Sequence, residues 1–105
     1  MTTSRIEALE KMLQSRPADS RLLFGLALEY LNAGDRNEGV AKLRAYLAVA
    51  DDEGNAWGRL GAVLREMGRA DEARAAYTHG VEQALRHGHP TLAAELREVL
   101  DGWDG

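Results

Sequence analysis

The sequence predicts an all-α protein, because strong helix formers dominate it and its apolar residues recur at helical spacing. Alanine occurs seventeen times and leucine fifteen times in 105 residues, whereas β-branched and aromatic residues are sparse. The apolar residues fall into blocks separated by short polar or glycine-containing joints, and no block alternates with the two-residue period of a strand. We therefore expect six helices and no sheet.

Length, charge and composition exclude several classes of protein. A chain of 105 residues with 45% hydrophobic residues fits one globular domain over 1–105. The net charge of −4 argues against a nucleic-acid partner held by a basic field. The absence of cysteine excludes disulfides, thiolate metal clusters and a thiol nucleophile.

Neither a membrane span nor an export signal is expected. No run of residues approaches the roughly 18 uninterrupted apolar residues of a transmembrane helix. The stretch 1–7 enters charged residues directly and lacks the apolar core of a secretory signal. We therefore expect a cytoplasmic protein without a membrane partner.

The first two helices are bounded by a capping pattern and a proline. Ser4 and Glu7 have capping-box spacing, and Pro17 ends the apolar periodicity, so we expect the first helix over about 4–16. The second helix, about 20–33, follows Asp19 or Ser20, either of which can accept the free backbone N–H groups of the first turn.

The next two helices are separated by an acidic joint. The third, about 36–50, begins behind Asp35, and the run 51–54 ends it. The carboxylates of that run also suit the positive N-terminal end of the fourth helix, about 55–67. Gly34 and Gly68 stand where the second and fourth helices end, as left-handed residues after a helix usually do.

The last two helices are bounded by acidic residues and by a proline. The fifth, about 70–87, carries Asp71 and Glu72 at its start and ends at His87–Gly88, and Pro90 suits the first position of the sixth, about 90–102. We expect Trp103 to pack against this last helix and the acidic tail 101–105 to fray.

The sequence repeats itself at an offset of 34 residues, the period of a helix-turn-helix solenoid. The matching pairs are Leu23 with Trp57, Leu26 with Leu60, Ala27 with Gly61, Tyr30 with Leu64, Gly34 with Gly68, Glu38 with Glu72, Gly39 with Ala73, and Leu43 with Tyr77. Small residues in such pairs let helices cross closely, which offsets the roughly 0.5–1 kcal/mol that glycine costs inside a helix. We expect close crossings at Gly39, Gly61 and Gly80 as well as at Ala27 and Ala73.

These residues resemble the tetratricopeptide repeat family. The second unit reads Trp57-x-x-Leu60-Gly61, then Leu64, Gly68, Ala73 and Tyr77; the first lacks the tryptophan and has Gly39 where alanine is usual. The resemblance implies a right-handed α-α superhelix without cofactors. Its expected parts are a half-repeat helix over 4–17, full repeats over 20–53 and 54–87, and a capping helix over 90–103. The positions assigned to repeat packing are Leu23, Leu26, Ala27, Tyr30, Gly34, Gly39, Leu43, Trp57, Leu60, Gly61, Leu64, Gly68, Ala73 and Tyr77.

The resemblance further implies a protein-binding module whose first helices line a concave groove. An apolar stripe on the second helix is not explained by the repeat pattern, and the matching face of the fourth helix is small and basic. The candidate groove residues are Arg21, Phe24, Leu28, Leu31, Asn55, Gly58, Arg59, Ala62 and Arg65. Together they would accept an apolar side chain beside a carboxylate, as when an amphipathic helix or acidic tail docks. We therefore expect an adaptor or a chaperone-like assembly subunit.

Two alternatives remain open for the same stripe. Phe24 and Leu28 could belong to ordinary core between repeats, or the stripe could meet its copy in a homodimer with no peptide site. Some members of the family grip a chaperone's terminal carboxylate with Lys and Asn. Phe24, Leu28 and Arg59 stand at the matching positions here, so this ligand is not predicted.

Catalysis and metal binding are not expected. His79, His87 and His89 lack the spacing and carboxylate partner of zinc motifs, and we interpret them as helix-end residues. The serines lack a nucleophile-elbow pattern, and the glycines are spread at repeat spacing rather than clustered in a phosphate loop.

Overall fold

The computed structural model describes residues 2–103, and the side chains of residues 5–103. Within this part of the chain it contains six helices and no strand, which confirms the all-α fold. The helices are α1 (Thr2–Ser15), α2 (Ser20–Asn32), α3 (Arg36–Val49), α4 (Asn55–Glu66), α5 (Ala70–Arg86) and α6 (Pro90–Asp101).

The predicted helix boundaries are close to the observed ones, with one correction at the start of the chain. Each helix ends one residue before its predicted end, and α1 begins two residues before Ser4. Ser4 therefore lies inside α1 and not at its N-cap position, so it does not begin the helix. The side chain of Ser4 and the tail residues Asp104 and Gly105 lie outside the described residues.

Aspartates cap the second and third helices as expected. The Asp19 carboxylate accepts hydrogen bonds from the backbone N–H groups of Arg21 at 3.0 Å and Leu22 at 3.2 Å. The Asp35 carboxylate accepts one from Glu38 at 3.1 Å. These bonds satisfy donors that the first turn of a helix leaves without a backbone partner.

The acidic joint before α4 contributes a single capping side chain. One oxygen of Asp52 accepts from the backbone N–H groups of Gly54 at 2.9 Å, Ala56 at 2.9 Å and Trp57 at 3.4 Å. Gly54 has a φ of +120°, a conformation that residues other than glycine rarely adopt. Asp52 and Gly54 together set the direction in which α4 begins.

The chain forms two compact units, one ending at Ala50 with α1–α3 and one beginning at Asp51 with α4–α6. Burial repeats between the units at the same 34-residue offset found in the sequence. The positions buried in both are Leu22 and Ala56, Leu26 and Leu60, Ala27 and Gly61, Gly39 and Ala73, and Leu43 and Tyr77. The number of full repeats and the right-handed sense of the superhelix stay predictions.

In the second unit, α4, α5 and α6 approach one another at positions that lack a side chain. A Cβ added to Gly61 would lie 2.8 Å from the ring of Tyr77, and one added to Gly58 or Gly80 would lie 2.8 Å from a methyl group of Leu96. The Gly80 position also faces Trp57, whose Cβ would be 3.2 Å away. The missing side chains therefore let the helices pack this closely.

The first unit uses the same device between α2 and α3. A Cβ on Gly39 would overlap the side chain of Leu31, which fills the space above the glycine. Among its described side chains α1 has no fully buried residue, so polar contacts also hold it. The Tyr30 hydroxyl donates to the carboxylate of Glu10 at 2.7 Å, a bond that raises the pKa of Tyr30 to about 12.

Replacing Gly61 by alanine is expected to destabilise the protein by about 1–3 kcal/mol, because the new methyl group would displace the buried Tyr77 ring. Gly25→Ala is the matched control. The nearest atom to a Cβ there, in Leu9, is 4.0 Å away, so this variant should gain about 0.5–1 kcal/mol from helix propensity. Urea unfolding measures both; a Gly61→Ala variant as stable as the wild type would contradict the packing described.

Candidate functional site

A shallow depression of about 330 Å³ lies on the first unit, and two of the predicted groove residues border it. We call it the Phe24 site; its residues are Ser20, Arg21, Phe24, Gly25 and Tyr46. The rings of Phe24 and Tyr46 lie 5.0 Å apart at 50°, a tilted arrangement that is favourable for aromatic pairs. Phe24 is half-buried and Arg21 is exposed at the edge.

The other two predicted residues of α2 do not border this depression. Leu28 and Leu31 are half-buried. Leu31 packs over Gly39 inside its own helix pair, so it contributes to the fold whether or not a ligand binds. The predicted stripe on α2 therefore divides into a packing part at Leu31 and an aromatic part at Phe24.

The predicted residues of the second unit are separated from one another. Asn55 borders an open depression of about 500 Å³, together with the turn before α6 and the first residues of that helix. Gly58, a predicted groove residue, lies under Leu96, so a side chain from α6 covers this position. Arg59 and Ala62 are exposed on α4.

Arg65 has a contact that the sequence did not indicate. Its guanidinium carbon lies 4.3 Å from the ring centroid of Trp103, within the range of a cation–π contact. Arg74 reaches the same ring at 5.0 Å, and Tyr77 meets it edge-on at 6.0 Å. Trp103 therefore packs as expected, but on side chains of α4 and α5 as well as beside α6.

Tyr46 is the binding candidate that sequence reasoning missed. It lies three residues after Leu43 on α3, one helical turn away from that buried leucine. The structure turns its ring toward Phe24. An unassigned aromatic residue one helical turn after a buried leucine was the signal available.

The three histidines have partners at the surface of the second unit. His79 stacks on Trp57, with ring centroids 4.8 Å apart. His87 lies 3.3 Å from a carboxylate oxygen of Asp51, and His89 hydrogen-bonds Glu53. That bond lowers the pKa of the Glu53 carboxyl group.

No cluster of three or more His, Cys, Asp or Glu side chains suited to a metal ion occurs within residues 2–103. In the same range, no helix is both long and apolar enough to cross a membrane.

Comparison with known proteins decides the family. The family model described as tetratricopeptide repeat matches residues 1–85. The chain belongs to the tetratricopeptide repeat family. A TPR repeat-containing protein of Pseudomonas aeruginosa is 32% identical to it over 95 residues, which cover 90% of each chain.

A solved structure supports the tetratricopeptide repeat fold. The crystal structure of MamA matches with a TM-score of 0.71 and 18% identity over 92% of this chain. The match covers 65% of the MamA chain, so this chain is similar to about two thirds of that protein. At that identity the likeness concerns the fold.

The Glu53–His89 pair gives a pH-dependent prediction. The pKa of Glu53 is lower in the folded protein than in the unfolded protein. The pair therefore stabilises the fold at pH values above the pKa that Glu53 has in the unfolded protein. This stabilisation is lost as the pH falls through the pKa that Glu53 has in the folded protein. In His89→Gln the Glu53 midpoint should rise toward the ordinary glutamate value, as NMR titration of its carboxyl carbon would measure. His79→Gln is the control, and an unchanged Glu53 midpoint in His89→Gln would contradict the pairing.

Proposed function

We propose that this tetratricopeptide repeat chain is a non-catalytic binding module that captures a peptide or helix and acts as an adaptor or assembly subunit. Repeats of this family generally mediate protein–protein interaction. The observation that carries the proposal is the Phe24 site, where a half-buried aromatic pair lies beside an exposed guanidinium. The cytoplasmic location stays a prediction.

The chemistry of the Phe24 site favours one kind of ligand. The rings of Phe24 and Tyr46 offer apolar surface to an aliphatic or aromatic side chain. Arg21 can form two parallel hydrogen bonds to a carboxylate. The ligand is therefore a peptide segment in which an apolar residue lies next to an acidic one.

Three exposed residues of the second unit, Asn55, Arg59 and Ala62, stay predicted binding residues. Arg59 carries an exposed guanidinium that can form two parallel hydrogen bonds to a carboxylate. Gly58 and Arg65 are not proposed as binding residues. Leu96 covers Gly58, and Arg65 lies on the ring of Trp103.

A displayed library of random peptides tests the proposal, because it offers the protein many combinations of apolar and charged residues at once. Selection on the wild-type protein should enrich peptides that pair an apolar residue with Asp or Glu. For a resynthesised peptide, Arg21→Glu should raise the dissociation constant about tenfold or more, as expected for loss of a charged hydrogen-bonded pair. Arg97→Glu, the same change at another exposed arginine, on α6, should leave the constant unchanged. Enriched peptides whose affinity is the same for both variants would contradict the proposal.

Phe24→Asp separates a binding surface from core. If Phe24 is a ligand contact, the variant keeps the melting temperature of the wild type within a few degrees and loses the selected peptide. If Phe24 is core, burying an unpaired carboxylate lowers the melting temperature by well over about 10 °C. Sedimentation over a concentration range tests a third outcome, self-association. If the wild type is a dimer and Phe24→Asp is a monomer, the surface around Phe24 is a dimer interface and the peptide-site proposal is wrong.

A further inference from the structure

The second unit holds its own tryptophan in a way that resembles a bound ligand. Trp103 follows the end of α6 and lies near two guanidinium groups, those of Arg65 at 4.3 Å and Arg74 at 5.0 Å from its ring centroid. The ring of Tyr77 meets it edge-on at 6.0 Å. The indole thus receives two cations and an aromatic edge from α4 and α5, helices that precede it by many residues.

The sequence around Trp103 complements these cations. Asp101 precedes the tryptophan by two residues and Asp104 follows it directly. The sequence therefore has an acidic residue on each side of a tryptophan whose ring contacts two arginines. Opposite charges of this kind favour encounter and orientation.

The position of Arg65 in the repeat shows how its contacts differ from those of its equivalent in the first unit. Its equivalent in the first unit is Leu31, which packs over Gly39. In the second unit the position equivalent to Gly39 is Ala73, whose methyl group occupies part of that space. Arg65 is exposed, whereas Leu31 is half-buried, and Arg65 contacts Trp103.

From this geometry we infer that Arg65, Arg74 and Tyr77 form a binding site for a tryptophan flanked by acidic residues, which Trp103 of the same chain occupies. We call it the Trp103 site. It lies within the second unit and shares no residue with the Phe24 site, so either proposal can be wrong while the other holds. A peptide that carries the same motif binds when Trp103 is absent and competes with it when Trp103 is present.

The Trp103→Ala variant tests the site with a defined probe, the peptide Asp-Gly-Trp-Asp-Gly. By NMR titration the variant should bind this peptide saturably, and it should not bind Asp-Gly-Ala-Asp-Gly. The wild type should bind the tryptophan peptide about threefold or more weakly than the variant, because the attached tail competes at a high effective concentration.

Second substitutions in the Trp103→Ala background identify the binding residues. Arg65→Ala and Arg74→Ala should each weaken binding about two- to fivefold, as expected for loss of one exposed cation–π contact. Arg97→Ala, a change at an exposed arginine on α6 outside both proposed sites, is the control and should have no effect. Absence of binding to folded Trp103→Ala, or equal affinities in all three variants, would overturn the inference.

A second measurement covers the case in which Trp103→Ala does not fold. The chain has two tryptophans, so the wild type gives two indole N–H resonances, one of which belongs to Trp103. In Arg65→Ala, and in the wild type with excess tryptophan peptide, the Trp103 resonance should move toward the position of an exposed indole. A resonance that moves in neither case would overturn the inference, and the Phe24 site would be unaffected.

Discussion

Close approach of helices at positions without a side chain is the constraint on which the structure depends. Tyr77 lies on Gly61 in the second unit, and Leu31 lies on Gly39 in the first. Each glycine costs helix propensity, and each recovers that cost only because a buried or half-buried side chain takes the space. The repeat equivalent of each of these glycines in the other unit is an alanine, so both units keep a small residue at both positions.

The sequence predicted the helices well because their boundaries are set by local chemistry. Asp19 and Asp35 cap helices through bonds that span two or three residues, and Gly34 and Gly68 have positive φ values of 84° and 76°. The start of α1 was the exception, since the capping-box spacing at Ser4 occurs inside a helix that begins earlier. Capping patterns are short and also arise within helices.

The candidate site was less predictable because it depends on which neighbour a side chain meets. A helical wheel placed Leu31 beside Phe24, yet Leu31 packs on a glycine while Phe24 pairs with Tyr46. Likewise, Arg65 was assigned to a groove and lies on Trp103, a partner far from it in sequence. Periodicity gives the face of a helix but not the distant residue that covers it. Knowing the equivalent residue in the other repeat does not by itself identify that distant partner.

The most direct test of the packing account is a nuclear Overhauser measurement on the full chain. We expect strong cross-peaks between the α protons of Gly61 and the ring protons of Tyr77, and between the α protons of Gly39 and a methyl group of Leu31. Those contacts require the helices of each pair to lie at the distance seen here. Assigned spectra of the folded protein in which both cross-peaks are missing would contradict it.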